Sequence, residues 1–181
     1  MASAASLKFL KELPSLDEMQ IVMGNLKSHG QQGAAIIGVA YVEHALERLL
    51  SRMFIPMNKE DQKRLFDGSA GGILGCLNAK IRIAYAIGIF GNDIYGNLKL
   101  LNAIRNVFAH SLHKLDFSAP ELGKDVSRLT AINVFKNADG SEIVLGDTFD
   151  AFVWNVAALH GILSALADHP GFKIRIDFPH S

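Results

Sequence analysis

Residues 92–112 read NDIYGNLKLLNAIRNVFAHSL, and the pattern of this stretch separates into two faces of a single helix. Apolar residues recur at spacings of three and four, which is typical of the buried face of an amphipathic helix. They are Ile94, Leu98, Leu101, Ile104, Phe108 and Leu112. Polar residues recur at the same spacings on another face, namely Lys99, Asn102, Asn106, His110 and His113. The sequence therefore predicts a helix from about 92 to 112 that packs on a core through one side and carries a polar stripe on the other.

Arg105 lies beside this polar stripe, at the border of the apolar face, where a charge needs a partner. Asn106 and His110 are one helical turn apart, so their side chains can meet. Glu43 falls in line with the apolar positions of an earlier helix, so we expect it to be partly buried and to be the counter-ion of Arg105. The candidate polar cluster comprises Glu43, Lys99, Asn102, Arg105, Asn106, His110 and His113.

The composition is that of a globular chain with a large aliphatic core. Its 181 residues fit one domain, 1–181, and no internal repeat or low-complexity linker divides them. Hydrophobic residues make up 49% of the chain, and its last helix carries Phe149, Phe152, Trp154 and Leu159 on more than one face. We therefore expect an apolar patch that a homodimer would bury. The formal net charge is zero, so long-range attraction to DNA or to an anionic membrane is weak.

Cysteine and histidine spacing gives no sign of a metal site or of another cofactor. Cys76 is the single cysteine, which excludes an intrachain disulfide, and we expect it to be a small buried residue. His110 and His113 have a spacing that can bind a metal on a helix, yet no carboxylate or third histidine is placed near them in the sequence. His44 and His160 lie in apolar helices, where we expect structural roles.

The sequence predicts a cytoplasmic protein without a membrane segment. No long apolar run lies at the amino terminus, so no secretory signal is expected. The apolar run near 34–42 is far shorter than the roughly 20 residues that a membrane span needs.

Other helices are predicted from capping residues and periodicity, at about 16–29, 32–53, 58–66, 120–129 and 147–168. One more helix is predicted after the glycine-rich connector and ends at about 87. The helix at 32–53 is apolar on every side in its first half and is predicted to be the most buried. The glycine-rich connector at 67–72 is predicted to be a hinge, because it lacks the ending of a phosphate-binding P-loop. Two β-prone segments flank a turn at 137–140 and predict a small hairpin, and 172–177 is either an edge strand or disordered. The predicted fold class is mainly α, a single-domain helical bundle with a small C-terminal β-hairpin.

The string Arg105-Asn106-Val107-Phe108-Ala109-His110 resembles the arginine–polar–spacer–histidine signature of HEPN-type helical domains. A wider set of segments resembles the mannitol operon repressor family, a group of small helical bacterial proteins. These segments are 42–50, 65–68, 78–88, 105–110 and 115–122. The resemblance spans about 41 to 122, which is nearly half of the chain.

Two functions follow as alternatives. The repressor-family resemblance implies a non-catalytic regulatory or interaction protein, a transcriptional regulator. It would act through a protein partner or an unusual surface, because no helix-turn-helix with a basic recognition helix is recognisable. The HEPN resemblance implies a metal-independent endoribonuclease in which His110 moves a proton near a ribose hydroxyl, Arg105 holds the scissile phosphate and Asn106 is the polar residue after the arginine. We favour the first, because the neutral charge and the few aromatic residues suit RNA poorly. Direct binding of DNA or RNA stays open.

Overall fold

The computed structural model describes residues 13–111 and 115–169, and over these residues the chain is a bundle of seven α-helices without a β-strand. The helices are α1 (Leu16–Ser28), α2 (Gly30–Met53), α3 (Lys59–Phe66), α4 (Leu77–Ala86), α5 (Asn92–His110), α6 (Pro120–Val126) and α7 (Thr148–Asp168). Short 3-10 turns at Gly68–Ala70 and Ala131–Val134 lie between them. The predicted mainly α bundle is confirmed, and the segment 172–177 lies outside the described residues.

Helix ends lie at the capping residues that the sequence offers. The Ser15 side chain accepts a hydrogen bond from Glu18 N, and Glu18 Oε2 accepts one from Ser15 N at 2.8 Å, which completes a capping box at the start of α1. Asn58 caps α3 and Asp147 caps α7 through side-chain oxygens. Gly88, with a φ of 74°, adopts the left-handed conformation just after α4. These positions are the ones that the sequence predicts.

The most buried helix is α7, and not α2 as the sequence predicts. In α7, 13 of the 21 residues are buried, including Asn155 and Gly161. In α2 the proportion is lower, nine of 24, because Ile36, Tyr41 and His44 are exposed along its length. Among the described residues, α7 alone is long and apolar enough to cross a membrane, yet 67% of its apolar window is buried inside the bundle.

The large apolar side chains of α7, which predicted a homodimer, pack within the chain. Phe152 and Leu159 are fully buried, and Phe149 and Trp154 are half-buried against the same core. The Phe152 ring lies 4.7 Å from the ring of Phe117, centroid to centroid. A homodimer stays a prediction, and α7 no longer supplies the surface for it.

The predicted β-hairpin is wrong. Ala131–Val134 forms a 3-10 turn, and a single antiparallel bridge between Lys136 and Glu142 is the only pairing seen in the described part of this segment. The predicted turn between those two residues is present, with Gly140 at a φ of 82°. A turn signal therefore identified a real turn, although the residues before it do not form a strand.

Two buried asparagines explain why the first segment turns instead of pairing. Asn97 Oδ1 accepts hydrogen bonds from Thr130 N at 2.8 Å and Ala131 N at 3.2 Å. Asn155 Oδ1 accepts one from Ile132 N at 3.1 Å. Because these N–H groups already donate to side chains, they are not free to form a β-ladder.

The glycine-rich connector is a compact loop in which two backbones touch. A β-carbon on Gly68 would lie 2.7 Å from Gly75 O, closer than real side chains allow. The glycines therefore permit a tight crossing, which differs from the predicted hinge. Cys76 follows directly, at the N-cap of α4, and is exposed. The prediction that it is a buried residue is wrong, because the chain emerges from the loop there and does not yet run through the core.

Candidate functional site

The apolar face of α5 is buried as predicted, and this orients the polar face outward. Ile94, Leu98, Leu101, Ile104 and Phe108 are fully buried. The end of the helix is held against the start of α2, because Gln32 Nε2 donates to Phe108 O at 3.4 Å. Beside it, Gln31 Oε1 accepts a hydrogen bond from Phe117 N at 2.6 Å. The position of the predicted site is thus fixed by contacts on its buried side.

We call the outward polar residues of this helix the α5 stripe; they are Lys99, Asn102, Arg105, Asn106 and His110. Lys99 and His110 are exposed, and the other three are half-buried. Arg105 Nη1 donates to Asn106 Oδ1 at 3.0 Å. No hydrogen bond joins Asn106 to His110 over the described part of the chain. The structure thus brings five of the predicted cluster residues onto one face, and His113 lies outside the described residues.

Aromatic side chains lie at the amino-terminal end of the stripe. The rings of Tyr85 and Tyr95 stack, with centroids 4.3 Å apart, across the α4–α5 contact. Lys99 Nζ lies 5.4 Å from the centroid of the Tyr95 ring, within the range of a cation–π contact. The Tyr85 hydroxyl donates to Asn92 Oδ1 at 2.6 Å, which fixes the outer ring. The sequence-based interpretation did not include this aromatic pair.

Glu43 does not pair with Arg105, so that prediction is wrong. Its carboxylate accepts a hydrogen bond from Lys80 Nζ at 2.7 Å, and Glu47 binds the same ammonium at 2.8 Å. The Lys80 side chain is 4% exposed, whereas the two carboxylates are 28% and 33% exposed. Burial acts to lower the pKa of Lys80, but the hydrogen bonds and charges of Glu43 and Glu47 outweigh it and raise that pKa above its ordinary value.

The pairing of Glu43 with Lys80 leaves Arg105 without the counter-ion that the sequence predicts. No carboxylate of residues 13–111 or 115–169 lies within 4.0 Å of a side-chain nitrogen of Arg82, Lys99 or Arg105. Lys80 lies between Glu43 and Glu47, the two acids of α2 at its contact with α4, and this cluster keeps one negative charge in excess. The chain as a whole is neutral, and Lys99 and Arg105 are the two cations of the stripe that have no close carboxylate among the described residues.

A second polar site lies on the other side of α2, where this helix packs along α7. A cavity of about 630 Å³ opens there, lined by Ala40, Tyr41, His44, Ala45, Arg48, His160 and Ser164. A neighbouring cavity of about 310 Å³ shares His160 and Ser164 with it and extends toward α1. We call the two together the α2–α7 groove. His44 is exposed and His160 half-buried on its wall, so His44 in particular is not the buried structural histidine that we expected.

The groove is rich in hydrogen-bond donors and has a positive side. Arg48 Nη2 donates to Ser164 O and to Asp168 Oδ2, both at 3.3 Å. Arg52 approaches the same Asp168 carboxylate at 3.8 Å. Burial lowers the pKa of His160 below its ordinary value, and the positive charge of Arg48, with His44, adds to the effect. Burial and the Arg48 charge therefore favour the neutral form of the His160 imidazole.

The sequence contains a signal for this groove that periodicity analysis of the apolar residues overlooks. Tyr41, His44 and Arg48 follow one side of α2 at helical spacing, and His160, Ser164 and Asp168 do so along α7. Polar residues at one-turn spacing inside otherwise apolar helices indicate a polar strip that water can reach between the two helices. Within the described ranges, no group of three or more His, Cys, Asp or Glu side chains is arranged to hold a metal ion.

Comparison with known proteins adds no assignment to these two sites. No family model, curated protein or solved structure shows a significant match to the chain. The likeness to the mannitol operon repressor family and to HEPN-type domains therefore rests on the sequence segments quoted above, and the functional argument rests on the α5 stripe and the α2–α7 groove.

Proposed function

We propose that this chain is a cytoplasmic, non-catalytic interaction protein with a transcription-regulatory role, of the kind that its resemblance to the mannitol operon repressor family suggests. Its contact surface is the α5 stripe. One observation carries the proposal: Arg105 is half-buried, and within the described residues its only hydrogen-bond partner is the neutral side chain of Asn106. A cation in this state gains stability when a partner supplies a carboxylate.

The exposure of the stripe favours contact over chemistry. His110 is exposed, and its neighbour Val107 is 47% exposed on the same surface of α5. Electrostatic stabilisation of a transition state is strongest where water is excluded, which an outward helix face does not provide. Tyrosine and arginine side chains are enriched in protein–protein interfaces, and Tyr85, Tyr95 and Arg105 offer both types.

The chemistry of the stripe selects an acidic protein surface as the partner. Lys99 and Arg105 supply two positive charges of the stripe that have no carboxylate of 13–111 or 115–169 within 4.0 Å. The rest of the chain balances to a net charge of zero, so attraction is confined to this face and does not steer the whole molecule to polyanions. The chain would regulate transcription by binding that partner. The homodimer that the sequence predicts is part of the same proposal.

Arg105→Gln is expected to weaken binding of a fluorescein-labelled poly-glutamate peptide by about fivefold, the effect of losing roughly one charge contact. Anisotropy at increasing salt measures this, and wild-type binding should weaken as salt screens the contact. The control is Arg64→Gln on α3, an exposed arginine whose carboxylate partner, Glu60, lies 2.6 Å away. The melting temperature of Arg105→Gln should hardly change, because Glu43 is not its partner. Equal peptide affinities for the two variants would refute the proposal.

A ribonuclease is the second candidate, because Arg105 and His110 are both accessible and neither has a charged partner among the described residues. In that case Arg105 would hold a phosphate and His110 would move the proton. We expect purified wild type to leave single-stranded RNA intact in a chelating buffer. Cleavage under these conditions, lost in a folded His110→Ala variant, would replace the interaction protein by a metal-independent endoribonuclease.

A further inference from the structure

We infer that the α2–α7 groove is a binding site for a small organic oxyanion, one carboxylate or phosphate group on an apolar body. The site is separate from the α5 stripe and does not depend on the function proposed for it. Its cavities of about 630 and 310 Å³ share one wall, formed by His160 and Ser164. Together they have the size of a small-molecule site.

The polar part of the groove offers donors for an oxyanion. Tyr41, Arg48 and Ser164 bring a phenol, a guanidinium and a hydroxyl to the cavity wall, and His44 adds an exposed imidazole. His160 makes no hydrogen bond within the described residues, although it is half-buried. A half-buried imidazole that meets no protein partner is available to a ligand.

The charges around the groove also favour an anion. Arg48 lines the larger cavity, and no carboxylate is among the described residues of that lining; Asp168, which Arg48 and Arg52 both approach, lines the smaller cavity. Glu18 also lines the smaller cavity, and the hydrogen bonds from Ser15 lower the pKa of its carboxyl and keep it charged, so the oxyanion belongs in the larger cavity beside Arg48. An incoming oxyanion would complete the coordination of the Arg48 guanidinium.

The remaining wall is apolar and would contact the apolar body of the ligand. Met19, Val22 and Ala157 line the smaller cavity beside His160. The rings of Tyr41 and His160 lie 6.2 Å apart at 52°, and both line the larger cavity. A compact aromatic or branched group fits between such surfaces better than a free inorganic ion does.

Binding should be coupled to protonation of His160. The groups that face it are Tyr41, His44 and Arg48 from α2, Glu18 from α1, and Asp168 and His169 from α7. In the free groove, burial and the nearby Arg48 charge favour the neutral imidazole. A bound anion favours the charged form, so the pKa of His160 rises on binding and affinity increases as the pH falls.

The test uses the full chain with phenyl phosphate as the probe, followed by the ring resonances of His160 and His44 in NMR spectra. We expect saturable shifts, a raised pKa of His160, and affinity lowered by about tenfold or more in Arg48→Gln, because a charge-assisted hydrogen bond is lost. Arg52→Gln is the matched control, since it also approaches Asp168 but does not line the larger cavity.

Two results would overturn the assignment. Either no saturable shift occurs in the wild type, or Arg48→Gln and Arg52→Gln bind phenyl phosphate equally well. Inorganic phosphate should bind more weakly than phenyl phosphate. Equal affinities would refute the proposal that the groove binds an organic group beside the oxyanion. If Arg48→Gln does not fold, as circular dichroism would show, the pKa of His160 in the wild type decides: a pKa that phenyl phosphate does not raise refutes the site.

Discussion

Replacing Gly75 by alanine is expected to destabilise the fold by about 3 kcal/mol or more, which for a chain of this size corresponds to a fall in melting temperature of about 6–12 °C. A β-carbon on Gly75 would overlap Gly68 Cα and lie 2.6 Å from Gly68 N and 2.9 Å from Gly72 O. All three obstructing atoms belong to the backbone, so no side chain can rotate away to make room. The loop must open, and the start of α4 must move with it.

The matched control is Gly24→Ala in α1, where a new β-carbon would meet nothing within 4 Å. Alanine there removes the entropic cost of a helical glycine and should stabilise the protein by about 0.5–1 kcal/mol. The two substitutions add the same methyl group, and thermal unfolding should give shifts of opposite sign. A Gly75→Ala variant as stable as the wild type would show that the loop tolerates a wider crossing than the coordinates indicate.

The local parts of the fold could be read from the sequence because their causes are local. Ser15, Asn58 and Asp147 cap helices by bonding to residues three positions away, so the signal and its effect lie in the same segment. The prediction of a hairpin was wrong because the causes of that segment's structure are distant in the sequence. The N–H groups of Ala131 and Ile132 bond to asparagines on two distant helices, and no property of the β-prone segment itself announces those partners.

The candidate sites divide in the same way. The α5 stripe was predictable because its members share one helix, and a helix fixes which residues face together. The counter-ion of Arg105 was not predictable, because Lys80 reaches Glu43 only through the packing of α4 against α2. The α2–α7 groove joins residues such as Arg48 and Ser164, which lie 116 positions apart, so only the tertiary structure brings them together.

Replacing Lys80 by methionine is expected to cost about 3 kcal/mol, or roughly 6–12 °C in melting temperature. The substitution leaves Glu43 and Glu47, one turn apart on α2, without the cation that both bind. We expect the lower end of the range for broken buried pairs, because both carboxylates keep some contact with water. Lys63→Met is the control: its side chain is 73% exposed and 4.0 Å from Asp67, so the change should stay within about 0.5 kcal/mol.

The pH dependence of the same variants separates charge from packing. Because the folded-state pKa of Lys80 is raised, its stabilising contribution is complete below the ordinary lysine pKa of about 10.4 and is lost as the pH rises through the higher folded value. The stability difference between wild type and Lys80→Met should therefore be constant near neutrality and shrink in strongly alkaline solution. Adding Glu43→Gln and Glu47→Gln to Lys80→Met should restore most of the loss, since no buried anion then remains. If the triple variant is as unstable as the single one, the loss comes from the packing of methionine at position 80 and not from the unpaired charges of Glu43 and Glu47. Restoration would mean instead that charge holds Glu43 and Glu47 at Lys80. Arg105 then keeps only the neutral Asn106 as its partner among the described residues, and its guanidinium is available to a carboxylate from another protein.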